Sequence, residues 1–273
     1  MPSDIGEPIK IFEDPTPDGL ICGRFFTGLQ RLTQVTDLTD EEGYDLTEGL
    51  MALGRKLAMV WSHYQDYVRE QDAAIKRLQS KPGEVNREVP HKLLEHADGF
   101  FVDMKSCLDY LVKVPRPILG PKRWNLVTFR DKGRAVAKAI RASVPKQHED
   151  IADDIAKAIE QCVPIWLEPA IKLRDRINHC KEGGLDFRNF LVTVRVQDGK
   201  VVAEVPMANP KQTLRDYLHI VWTNLFVFCE KLVGMFLSLR LVNPDVITFS
   251  YEERPLSDVN SPWALVARLP MKG

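Results

Sequence analysis

From Leu46 to Leu78 apolar residues return at steps of three and four: Leu46, Leu50, Leu53, Leu57, Val60, Trp61, Tyr64, Val68, Ile75 and Leu78. An α-helix turns once in about 3.6 residues, so this spacing draws a single apolar stripe along one helix. The stripe predicts a long helix over about 43–79. Asp40-Glu41-Glu42 puts negative charge where a helix N-terminus favours it. Lys81-Pro82-Gly83 stops the helix, because proline cannot continue it and glycine tolerates the conformations of a chain reversal. A helix with one apolar face must bury that face against other elements.

Further stripes follow. Leu94, Ala97, Phe101, Met104, Leu108 and Leu111 predict a second helix over about 90–113, ended by Val114-Pro115-Arg116-Pro117 and Gly120-Pro121. A shorter, basic helix is predicted over about 128–142. A long helical region follows over about 147–181, with the stripe Ile151, Ile155, Ile159, Cys162, Trp166, Ala170, Leu173 and Ile177. Pro164 and Pro169 lie inside it, and each removes an amide donor and crowds the preceding turn, so a kink or restart is expected there. Gly183-Gly184 closes the region.

Leu191–Val196 and Val201–Val205 flank Asp198-Gly199, a dipeptide suited to a tight hairpin turn. A last helix is expected over about 211–241. It is apolar on several sides, which predicts a central position or an oligomer interface. Val246–Tyr251 and Trp263–Ala267 read as short strands. Near the N-terminus, Ile9–Phe12 reads as a short strand and Phe25–Leu32 as a short helix. Trp124, Trp166 and Trp222 are expected in the core. The predicted fold class is mainly α: a bundle of four to five long helices, an inserted β-hairpin and small β elements at the termini. The boundaries are an N-terminal extension 1–42, a helical domain 43–241 with its hairpin at about 190–206, and a C-terminal extension 242–273.

Apolar residues make up 44% of the 273 and charged ones 27%, enough to bury a core without a disulfide or metal staple. The five cysteines (Cys22, Cys107, Cys162, Cys180, Cys229) are scattered and never in a Cys-x-x-Cys pair. That pattern points to a reducing compartment and against a zinc site. No apolar run approaches the roughly 20 residues of a membrane span, and Met1–Glu7 has no signal-like start, so a cytoplasmic location without membrane contact is expected. No nucleotide-binding glycine loop or His-Glu-x-x-His pattern is present, so neither cofactor nor metal is expected. Net charge is -1, but from Lys122 to Lys146 eight bases stand against Asp131 alone. Such a stretch is either a nucleic-acid contact or a solvated helix face.

The most informative segment is Leu173-Arg174-Asp175-Arg176-Ile177-Asn178-His179, at a predicted helix end. Arginine gives planar, bidentate phosphate recognition and histidine exchanges protons near neutral pH. Together they suffice for metal-free RNA cleavage: the ribose 2′-hydroxyl attacks, histidine transfers a proton and arginine holds the phosphate. Asp175 and His179, four apart, share a helix face, so Asp175 is placed to orient the imidazole. Arg174 and His179, five apart, diverge by about 140° on a regular helix. The last turn must distort, or a second copy must complete the site. The plainer reading is a solvated, mutually paired helix end, since a terminal histidine suits the helix dipole by itself.

This segment resembles the motif of the HEPN superfamily: arginine, a polar residue, three further residues, then histidine, near the end of the third core helix. Arg174, Asp175 and His179 match it, and the resemblance extends over roughly 43–241 through the amphipathic helices, the glycines, the hairpin and the final apolar helix. The interior prolines and the terminal extensions depart from the family pattern. The resemblance implies a helical bundle that dimerises to bring two motifs together. It implies a metal-independent endoribonuclease, of the kind found among toxins and phage-defence effectors, with a separate antitoxin or nucleotidyltransferase as partner. Catalytic roles fall to Arg174, His179 and Asp175. Lys172, Arg176, Asn178, Lys181 and Arg188 are expected to contact RNA, with Arg130 and Arg134 extending that surface. Other family members are catalytically silent modules that bind RNA or protein, and that is the alternative. His96, Asp98 and Asp103 are expected to be surface or helix-capping groups.

Overall fold

The structure is a computed structural model that describes residues 14–81, 83–179, 187–197, 200–242, 248–253 and 263–268. Of 176–179, 187–188 and the last two strands it describes the backbone alone. The possible strand at Ile9–Phe12, the Gly183-Gly184 stop and the Asp198-Gly199 turn lie outside the described residues.

The fold is mainly helical with small antiparallel sheets. A π-helical segment, Leu20–Phe26, runs into α1 (Thr27–Thr33). The long helix α2 (Asp40–Gln79) begins three residues before the predicted start at about 43, because Thr39 and Glu42 form a capping box. The Thr39 hydroxyl accepts the Glu42 N–H at 3.2 Å, and the Glu42 carboxylate accepts the Thr39 N–H at 2.9 Å.

Strand β1 (Val85–Glu88) follows, then α3 (His91–Leu111) and the short α4 (Pro115–Leu119). The basic helix α5 (Arg134–Ser143) packs on α6 (Glu149–Cys162). The expected long region with two prolines is two helices. A π-helical turn, Val163–Leu167, carries Pro164 and separates α6 from α7 (Glu168–His179). Pro169 falls in the first turn of α7, where a missing amide costs least.

Strands β2 (Val192–Gln197) and β3 (Lys200–Glu204) form the hairpin, and β1 joins it to make an antiparallel sheet of order β1-β2-β3. A small ribbon, β4 (Met207–Asn209) and β5 (Gln212–Thr213), leads into α8 (Leu214–Ser238), which Thr213 caps by accepting the Asp216 N–H. Strands β6 (Thr248–Glu253) and β7 (Trp263–Arg268) pair antiparallel.

One apolar core unites these helices. Leu46, Leu53, Leu57 and Val60 of α2, Phe100, Phe101 and Met104 of α3, and Leu225, Val233 and Phe236 of α8 are all buried in it. Trp124, Trp166 and Trp222 are buried as expected. Residues assigned to an N-terminal extension share this core: Ile21, Phe25 and Leu29 are fully buried, and α1 packs on α8. Helix α8 explains why several of its sides are apolar, since it touches α1, α2, α3 and α6. Although no uninterrupted apolar run marks it, α8 is long and apolar enough to cross a membrane by composition. Of its most apolar window 67% is buried within the protein.

Candidate functional site at the end of α7

Helix α7 is held by its apolar face. Ala170 and Leu173 are buried, as is Leu167 in the turn before, where Trp166 meets Phe228 of α8 edge-on at 5.6 Å between ring centres. The helix also packs on α3. Its N-terminus is tied to the turn before α5: Lys132 Nζ lies 2.5 Å from the Glu168 carboxylate, and Lys172 Nζ lies 2.9 Å from the same oxygen. These two ammonium groups, Lys132 first, hold the Glu168 carboxyl down at about 2. The turn itself is left-handed at Asp131 (φ 47°) and Lys132 (φ 53°), an unusual conformation for side-chain-bearing residues. Gly133 follows it at φ 94°, where a β-carbon would meet the Phe129 ring at 2.6 Å.

Arg174 follows the buried Leu173, so its side chain leaves the core at the helix surface and is 22% exposed. Its Nε and Nη2 donate to Asp175 Oδ1 at 3.1 and 2.5 Å. The carboxylate expected to serve His179 is therefore engaged by Arg174, its neighbour in sequence. Arg176, Asn178 and His179 occupy the last described turn of α7. Their side chains, like that of Arg188, lie outside the described residues, as does Lys181 entirely.

Part of the basic stretch is engaged by acids. Arg141 is clamped by Asp153 at 2.9 Å and by Glu160 at 2.6 Å, both from α6. Lys132 and Lys172 are both spent on Glu168. Arg130 donates to the Thr128 hydroxyl at 2.8 Å, and Arg134 lies 4.0 Å from Asp131. Asp153, Glu160 and Glu168, the acids that engage Arg141 and Lys132, come from later in the chain, so a linear count could not include them.

A second constellation lies between α2 and α3. Asp103, expected at the surface, is buried. One of its carboxylate oxygens takes Lys56 Nζ at 2.9 Å and the other lies 3.3 Å from His63 Nε2. The His96 ring stands 6.4 Å from that of His63, centre to centre. Burial first, and then His63, pushes the His96 pKa below its ordinary value. Gly99 makes room for this arrangement, because a β-carbon there would lie 2.4 Å from the His63 ring. A glycine inside an amphipathic helix was the available signal, since it costs about 1 kcal/mol against alanine and calls for a packing reason.

A cleft of about 630 Å³ lies elsewhere. Glu41, Asp45 and Glu48 of α2 face Tyr110, Lys113 and Arg116 across it, and no residue of the α7 motif lines it. Among the described residues, no group of three or more metal-ligating side chains is gathered.

No family model, curated protein or solved structure matches the chain.

Proposed function

We propose that this protein is a metal-independent endoribonuclease of HEPN type, whose site is the end of α7 and is completed by a second copy of the chain. The observation that carries this reading is the position of Arg174: partly exposed on the surface of α7, five residues before His179 on the same helix. A guanidinium has five N–H donors, of which the Asp175 carboxylate takes two. The remaining donors suit an incoming phosphate. The 2′-hydroxyl of the substrate ribose attacks the adjacent phosphorus, the bond to the 5′-oxygen breaks, and a 2′,3′-cyclic phosphate and a 5′-hydroxyl result. Arg174 stabilises the charge gained on the phosphoryl oxygens. His179 moves a proton, either from the nucleophile or to the leaving oxygen. Asp175 holds Arg174 in the unliganded protein, and a bound phosphate that takes over the guanidinium releases the carboxylate towards His179. Lys132 and Arg141 are engaged by acids, which favours RNA contacts near the motif over that part of the basic stretch. In this reading the protein acts as a toxin or phage-defence effector, with an antitoxin or a nucleotidyltransferase as its separate partner.

The test is cleavage of a mixed RNA pool in excess EDTA by the parent chain, Arg174→Ala and His179→Ala. Cleavage by the parent alone, with cyclic phosphate ends, is expected. Equal cleavage by His179→Ala overturns the mechanism. Absence of cleavage by all three turns the reading to a silent module of the same family.

A further inference from the structure

Strand β3 is the outer strand of its sheet. Its inner edge pairs with β2, and among the described residues no strand pairs with its outer edge. All five of its residues are exposed, with Val201 at 54% and Val202 at 39%. An open edge presents unpaired backbone N–H and C=O groups, and natural sheets usually blunt it with a proline, a bulge or an inward-pointing charge. Lys200–Glu204 contains no proline, and its register with β2 runs without a bulge.

The direction of the unpaired groups follows from the ladder. The Val196 N–H donates to the Glu84 carbonyl, so Val196 turns its backbone groups towards β1 and away from β3. Val196 stands opposite Val201, which is therefore in a non-hydrogen-bonded pair with β2. Val201, and by alternation Ala203, thus point their N–H and C=O groups out of the sheet.

The order Lys200-Val201-Val202-Ala203-Glu204 is complementary to itself when run antiparallel. With Val202 on a two-fold axis, Val201 faces Ala203 of the second copy, and Lys200 faces Glu204. Val201 and Ala203 are the residues with outward backbone groups, so both such pairs can exchange two hydrogen bonds. Val202 then meets its own copy in the close, non-hydrogen-bonded arrangement between them. A register centred on Val201 or on Ala203 loses both ion pairs. Glu204 already pairs with Arg195 of its own β2, and Lys200 of the other copy adds a second cation beside it.

We infer that β3 is a homodimerisation edge, pairing antiparallel with β3 of a second copy about Val202 to make one continuous six-stranded sheet. The inference rests on the sheet and not on the nuclease reading.

The experiment is the solution mass of the full chain by light scattering and sedimentation over a wide concentration range. The parent is expected as a dimer. Ala203→Pro removes an outward N–H and no ladder hydrogen bond, so it is expected as a folded monomer. Lys200→Glu replaces two attractive pairs with two repulsive ones and is expected to weaken the dimer by about tenfold. Under mild oxidation Val202→Cys is expected to give a reducible dimer above the parent's background, whereas Val201→Cys, facing Ala203, is not. A monomeric parent, a dimeric Ala203→Pro or a failure of Val202→Cys to cross-link overturns the inference. A dimeric Ala203→Pro leaves the nuclease reading standing. A monomeric Ala203→Pro that still cleaves RNA removes the two-copy site and leaves the sheet pairing intact.

Discussion

Arg24 and Glu230 form an ion pair inside the core, with Arg24 Nε donating to Glu230 Oε1 at 2.7 Å and both side chains 5% exposed or less. They are 206 positions apart and join the N-terminal π-helical segment to the middle of α8. The guanidinium also lies over the Phe226 ring, 5.2 Å from its centre. Removing one partner strands a buried charge, which typically costs about 3–5 kcal/mol. Glu230→Ala and Arg24→Ala are each expected to lose stability on that scale. The double change Arg24→Met with Glu230→Leu is expected to lose less than either, because no charge is left behind. Chemical denaturation of the three variants checks this, and a double variant weaker than both singles contradicts it.

The Glu168 link responds to acid. Its carboxyl is held at about 2 by Lys132 first and Lys172 second, against an ordinary value of 4.5. A depressed carboxyl stabilises the fold fully above its unfolded value, and the contribution fades as pH falls towards the folded value. Acid is therefore expected to loosen the tie between α7 and the turn at Asp131 between about pH 4.5 and 2. Glu168→Gln should remove that component of the acid dependence. A carboxyl resonance for Glu168 that titrates near 4.5 refutes the expectation.

Gly99 and His63 are coupled through space. Gly99→Ala adds helix propensity worth about 1 kcal/mol but drives a β-carbon into the imidazole. In the parent background the substitution is expected to be neutral or destabilising, with His63 displaced from Asp103. In a His63→Ala background it is expected to stabilise by about 0.5–1 kcal/mol. A double-mutant cycle reads the difference, and equal effects in both backgrounds contradict the contact.

His96 gives a second pH dependence, of opposite origin. Its pKa is lowered in the folded chain, so the unfolded chain takes up the proton first as pH falls. Stability is expected to decline below the ordinary histidine value of 6.5, and His96→Phe should flatten that decline. Unfolding free energies measured across this range, parent against variant, decide it.

The buried thiols Cys107 and Cys229 lie 3.8 Å apart between α3 and α8. Burial above all, with Cys229 as the nearest partner, pushes the Cys107 thiol well above its usual range. Both are expected to resist alkylation until the chain unfolds, since the thiolate is the reactive form. Mass-spectrometric mapping of native alkylation sites checks this, and modification of either in the folded state refutes it.

The helices were legible because their signal is local. A three-and-four stripe is written within each segment, and α2, α3 and α8 follow from these stripes, as the β2–β3 hairpin follows from two β-branched runs around Asp198-Gly199. The helical setting of the segment from Arg174 to His179 was legible for the same reason, whereas the Gly183-Gly184 stop lies outside the described residues. Strand β1 was not, because four residues reading Val-Asn-Arg-Glu become a strand only when β2 lies alongside. The clamping of Arg141, the burial of Asp103 beneath Lys56 and His63, and the seat of Phe25 in the core depend on which helices meet. Sequence by itself determined where helices begin, end and turn an apolar face, since those properties repeat within one turn. Tertiary structure alone decided which charges cancel and which strand edge stays open, since each depends on partners far along the chain.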